Sequence, residues 1–474
     1  MHKKGSTMDN AIIKRPFGFR DKLGYLLGDF GNDFTFILSS SFLLKFYTDV
    51  MHVSAGVVGL VMMLARFVDA FTDVTMGRIC DRARVNKNGK FKPWIIRMCI
   101  PVALASFLIY QSAFAERALW FRILWLVVTY ILWGSVFYTS INIPYGSMAS
   151  AISPEPEDRQ SLSTFRTLGS SLAGVIIGAG VPLLAYDKKI IGDNVIAEMN
   201  GQKFTLIAGI FSILAVIAYI LCYFLTTERV NSDSPRERVG GIRALVASAV
   251  KNRSLISIIS ASVLMLLSQF TLQQMSNYVY PDYYADTSAQ SVSTLAMLVG
   301  MIISAVLARP LTKKFGKAEL STVASAVAGA ICVLLFFVRP ENVWVYVGLN
   351  FFSWLGLGIF SMVSWALITD VIDDSEIKNG VREDGTIYAL YSFARKLGQA
   401  AAAGLTGLLL TSIGYEKVES SPLSESVKTG IFNISCIVPA IGFVLLAIVL
   451  WFWYPLHKSR VDENVNLLRN RRKM

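Results

Sequence analysis

Arg66, Asp69 and Asp73 lie in MMLARFVDAFTDVTMG, residues 62–77, among side chains otherwise suited to lipid. Spaced i, i+3 and i+7, they fall within roughly 60° of one another around a helix. Each charge at bilayer depth costs on the order of 3 kcal/mol. A stripe this narrow must therefore face protein or water. Two carboxylates one turn apart supply hard oxygen ligands for a small cation, or one of them can carry a proton. The Thr139 hydroxyl is a further candidate ligand. Asp69 and Asp73 are the metal ligands if the ion is sodium, and the spacing does not separate sodium from proton.

Other polar residues interrupt other apolar stretches. Asp29 and Asp33 form an i, i+4 pair in LGDFGNDFTF, Asn142 follows Thr139 in YTSINIPYGS, Arg166 sits in STFRTLGSS, and Arg395 and Lys396 in YSFARKLGQA. A purely structural salt-bridge network would also neutralise such a set. Buried ion pairs rarely outperform apolar packing, however, so the cluster points to an ion or a substrate. Tyr278, Tyr280, Tyr283 and Tyr284 read as interfacial anchors, with stacking on a sugar as the alternative, and Trp365 as packing. Asp370, Asp373, Asp374 and Glu376 read as solvated or gating charges at a helix end. His2, His52 and His457 lie in tails and a loop, and Cys80, Cys99, Cys222, Cys332 and Cys436 are scattered without metal-ligand spacing.

The elements that must position these residues are membrane spans. The 474 residues are 54% hydrophobic and only 16% charged. Stretches such as ALWFRILWLVVTYILWGSVF reach the roughly 20 apolar residues that cross hydrocarbon. Hydropathy predicts an all-α membrane protein with about twelve helices, near 22–48, 54–78, 94–115, 119–150, 161–186, 203–226, 253–281, 290–311, 318–338, 342–371, 384–413 and 426–456. The long hydrophilic connection at 227–252 divides a six-helix bundle with its N-tail (1–226) from a second with a short basic C-tail (253–474). The net charge of +12 collects in short loops on one side, including GRICDRARVNKNGKFKPW and ARPLTKKFGKAE. That is the positive-inside pattern, which puts both termini in the cytoplasm and removes nucleic acid as a partner. The N-terminus has no apolar core, so no cleaved signal peptide is expected. An enzyme would need a nucleophile or metal cluster near the interface, and a sensor a large soluble output domain; neither pattern is present.

The two basic loops follow the second helix of each half and look like a diverged internal repeat. The Gly77, Asp81, Arg82 turn is similar to the signature loop of the major facilitator superfamily and is read as a cytoplasmic gating loop. More specifically, FYTDV, RFVDAFTD, GKFKPW, NIPYGSMASAI, WALITDVIDD, GVREDGTIYALYSFARKLGQA and WFWYPL together resemble the glycoside–pentoside–hexuronide:cation symporters nearly end to end. NIPYGS, FARKLGQA and WFWYPL look closest to glucuronide carriers, with melibiose permeases more distant. The resemblance implies two halves rocking about a midplane site. By the same resemblance Asp69, Asp73 and Thr139 bind the cation, and Arg66 and Lys396 belong to the cation site. Asp33 and Arg166 match positions linked to sugar binding. Two positions depart from the melibiose pattern: Asn142 replaces a galactoside-contacting aspartate and Gly146 a stacking tryptophan. The loss of a carboxylate at Asn142 favours an anionic hexuronide whose carboxylate pairs with Arg166 or Lys396. A neutral glycoside or pentoside would hydrogen-bond Asn142 and Asp33. The chain stops soon after the twelfth helix, so the regulatory domain fused to some members is not expected. The expected protein is thus a multi-pass cell-membrane symporter, monomeric, importing a glycoside together with a proton or sodium ion and needing no other cofactor. A glucuronide is the first reading of that glycoside, with a neutral glycoside or pentoside as the alternative. An uncoupled facilitator is the nearest rival.

Overall fold

The computed structural model describes residues 15–83, 86, 89–191, 194–230, 252–379, 384–417 and 421–471. Most of the central linker expected at 227–252 lies outside them. The first half contains α1 (Phe19–Asp49), α2 (Ala55–Arg82), α3 (Lys92–Ile109), α4 (Leu119–Ile131), α5 (Thr139–Ile152), α6 (Pro156–Leu184) and α7 (Gly201–Leu225). The second contains α8 (Arg253–Tyr278), α9 (Thr287–Phe315), α10 (Lys317–Val338), α11 (Val343–Asn379), α12 (Asp384–Ser412), α13 (Glu425–Ile448) and a tail helix α14 (Lys458–Arg471). A π-helical segment, Leu132–Tyr138, joins α4 and α5 into one continuous span. Among the described residues, ten spans are long and apolar enough to cross a membrane. α1 and α12 have the length but carry ionisable residues into their interiors.

Packing repeats after six spans. In the first half α1 packs on α6 and α7, and α3 on α7; in the second α8 packs on α12 and α13, and α10 on α13. Contacts between the halves repeat too, α2 against α12 and α9 against α6. Lipid offers no hydrophobic drive between helices, so these crossings rely on small residues that let backbones approach. A Cβ on Gly59 would lie 2.8 Å from the Ala403 carbonyl oxygen, and one on Gly407 would run into that of Ala55.

Four expectations change. The fifth span ends at Leu184 rather than 186, and the chain then forms an antiparallel hairpin, β1 (Tyr186–Ile191) on β2 (Asn194–Met199), rich in β-branched residues. The tenth span runs on to Asn379, so Asp370 and Asp374 are not solvated end charges. Both are buried: Asp370 pairs with Lys317 at 2.5 Å, and Asp374 accepts from Ser254 at 2.8 Å and Lys378 at 2.6 Å. The basic C-tail is helical and docks where Asn464 reaches Asp374. Finally, Gly77, Asp81 and Arg82 do not form a turn but complete α2. A cation in the last helical turn suits the C-terminal end of the dipole, so Arg82 does not stop the helix. The side chain of Asp81 lies outside the described residues.

Candidate functional site

The charged stripe of α2 meets α5, the π segment and α12. Arg66 donates to Asp69 at 3.1 Å and lies over the Phe36 ring. Asp69 also accepts from Ser135 at 2.5 Å, with Gly134 beside its carboxylate. Both Gly134 and Ser135 belong to the π segment, an irregularity that often marks functional positions. Asp73 accepts from Thr139 at 2.9 Å and forms an ion pair with Lys396, which crosses between the halves. Asp69, Asp73 and Thr139, singled out by residue type and spacing, and Arg66 and Lys396, assigned to the cation site by resemblance, thus converge on one polar locus. Ser135 was missed, since a serine in LWGSVFY carries no signal until the helix widens there. Among the described residues no group of three or more His, Cys, Asp or Glu gathers to hold a metal. The side-chain oxygens gathered at this locus are the two carboxylates and the Ser135 and Thr139 hydroxyls.

The expected substrate residues divide. Arg166 donates to Asp29 at 3.0 Å and packs over Tyr145. Asn142 accepts a 3.5 Å bond from Asn32, which in turn accepts from Tyr219 at 2.9 Å. Asp33 lines a cavity of about 340 Å³ between the halves, formed by α1, α6, α8, α9 and α11. That volume suits a small-molecule site. Asp33 is the one Asp, Glu, Lys, Arg or His among its described lining residues; Ser40, Ser41, Gln269, Gln273, Asn277 and Gln290 are among the other polar groups there. Lys396, given both cation and substrate roles above, sits on Asp73 and not in this lining.

A second polar cluster escaped the sequence reading. Where α1 ends, Lys45 pairs with Asp49 at 2.8 Å and with Asp282 of the second half, and donates to Tyr415 at 2.7 Å. Lys417 holds the other oxygen of Asp282 at 2.8 Å, and Tyr415 donates to Asp49 at 2.8 Å. All four charged side chains are buried. Burial alone would favour the neutral amine of Lys417, but Asp282 and Asp49 outweigh it and raise its pKa, so it stays a cation. Tyr278 and Tyr280 are buried rather than interfacial anchors: Tyr278 meets Thr48 and Tyr415, and Tyr280 faces the cavity. Gly56 donating to Thr411 at 2.7 Å and Ser291 donating to Ala179 at 2.7 Å close the same end of the molecule. The signal for the cluster was a lysine inside SSSFLLKFYTDV, four residues before an aspartate read as loop.

Two repeated six-span halves, a chamber between them and ionised groups held at membrane depth define a secondary transporter rather than an enzyme. The family model for MFS/sugar transport proteins matches residues 24–458, and the chain belongs to that family. Among relatives, the uncharacterized symporter YjmB of Bacillus subtilis is 30% identical over 94% of each chain. The glucuronide carrier protein homolog of Escherichia coli is 29% identical over 98% of each. The isoprimeverose transporter of Lactiplantibacillus pentosus is 28% identical over 94% of this chain and 90% of its own. Among solved structures, a variant of the nucleoside transporter NupG superposes with a TM-score of 0.65 at 14% identity, over 91% of this chain and 98% of that one. The protein is a multi-pass cell-membrane transporter of the major facilitator fold.

Proposed function

We propose that the chain imports a glycoside by symport with a proton or sodium ion, working as a monomer by alternating access, with both termini in the cytoplasm. The observation that carries the coupling is the pairing of Asp73 with Lys396 across the halves, beside Asp69 and Thr139. A cation among those carboxylates would compete with Lys396 and Arg66, and so would bias how the halves sit. By linkage, sugar and cation would tighten each other's binding equally.

The cavity lining supports an uncharged glycoside or pentoside best. Its lining carboxylate, Asp33, has no lysine or arginine beside it in the lining, while Arg166 and Lys396 are each engaged by an aspartate. The relative that transports isoprimeverose fits this reading. A glucuronide is the second reading, favoured by Asn142 in place of a carboxylate and by Arg166 remaining about two-fifths exposed, with its guanidinium bonded on one edge. The glucuronide carrier homolog fits that one. Uptake of labelled xyloside, melibiose and glucuronide into vesicles under imposed sodium or pH gradients tests both. Asp69→Asn and Asp73→Asn are expected to abolish accumulation while sparing exchange; accumulation persisting in both variants would refute the coupling site.

A further inference from the structure

The wall of the chamber contributed by the second half has a distinct chemistry. Gln269, Gln273 and Asn277 recur every fourth residue on α8, which places them within about 80° on one face. Gln273 donates to the Ser41 hydroxyl at 2.9 Å, and Asn277 donates to the Ser41 carbonyl at 2.6 Å. Gln290 of α9 donates to the side-chain oxygen of Asn277 at 2.7 Å. The chain of amides ends there. The Gln290 oxygen is buried and bonded to no other protein group, although the residue is only 4% exposed and lines the cavity. A buried acceptor left empty is costly, so this oxygen calls for a donor from whatever fills the chamber.

We propose that Gln290, Asn277 and Gln273 form the second-half sugar subsite, with the free Gln290 oxygen accepting from a substrate hydroxyl. The proposal rests on the glycoside reading above and extends it to residues that neither charge nor resemblance singled out. Carboxamides fit the task because each presents a donor and an acceptor without charge. A sugar hydroxyl is also both, so neighbouring hydroxyls can bridge adjacent amides. Asp33 on the opposite wall accepts from further hydroxyls, and Trp354 and Phe36 offer apolar surface for the ring faces. Sites that hydrogen-bond a hydroxyl discriminate strongly, because an analogue lacking it leaves the amide unpaired. The amides also set a competition. Gln273 and Asn277 now bind Ser41 of the first half, so a sugar that takes those donors loosens a contact between the halves.

The test is sugar affinity in the purified, full-length protein, measured by calorimetry and by gradient-driven uptake, for Gln290→Leu, Gln273→Leu and Gln290→Asn. Gln290→Leu is expected to raise the KM for the transported sugar 10- to 100-fold and to remove discrimination against the deoxy analogue at one hydroxyl. Half-saturation by the cation, measured without sugar, should stay within twofold. Gln290→Asn, which keeps the amide on a shorter stem, serves if the leucine variant does not fold and should show a smaller rise. Unchanged sugar KM in folded Gln290 and Gln273 variants overturns the subsite while leaving symport intact. Wild-type protein that accumulates no sugar under any gradient overturns the transport reading and the subsite together.

Discussion

Replacing Lys45 by methionine keeps the length of the side chain and removes its charge. In the closed arrangement Lys45 compensates Asp49 and Asp282 and donates to Tyr415, and its ammonium lies 4.4 Å from the centre of the Tyr278 ring. After the substitution Lys417 is left to balance two buried aspartates. Removing one partner from a buried ion pair costs about 3–5 kcal/mol. In the alternating access proposed above, water would reach the same aspartates when the halves part, so most of that cost would fall on the closed state alone. At 1.4 kcal/mol per decade the closed-to-open ratio should fall by about 10²–10³. Accessibility reads this directly. The native cysteines are all buried and so shielded from the reagent, and a single probe is introduced as Ser293→Cys, on the chamber wall. A membrane-impermeant maleimide applied from the side where α1 ends should label Lys45→Met at least tenfold faster than the unaltered background. Equal labelling rates, with the variant folded, would refute a role for the cluster in holding that end shut.

Thr139→Val should weaken the cation's half-saturation several-fold, since it deletes one oxygen beside Asp73 without changing shape, and should leave sugar-for-sugar exchange intact; uptake titrated against cation concentration checks this. Gly407→Ala should push α12 from α2 and speed the same maleimide reaction, whereas Gly77→Ala, where a Cβ meets open space, should change nothing.

Much of the fold was legible because lipid penalises so strongly. Long apolar runs had to be spans, and Arg66, Asp69 and Asp73 had to turn inward toward Thr139 and Lys396. What stayed hidden lacked such a penalty. Gln273, Asn277 and Gln290 are uncharged and sit amid serines and methionines, so nothing in their spacing outweighed ordinary packing. Lys45 and Asp49 were hidden differently. They stand at a helix end, where a charge usually meets water, and their burial depends on Asp282 and Lys417, more than 200 residues away. The π segment is also invisible to periodicity, yet it sets Ser135 against Asp69.

The buried cluster at the end of α1 has an electrical consequence. Lys45 and Asp49 ride on one half, Asp282 and Lys417 on the other, and each couple sums to zero. Moving one elementary charge through 100 mV is worth about 2.3 kcal/mol. Parting two neutral couples would displace almost none, so if the cluster holds that end shut, the membrane voltage has no handle on it. With an uncharged sugar, the current through the protein would then count co-transported cations one by one, and a recording of charge per sugar would read the coupling ratio directly.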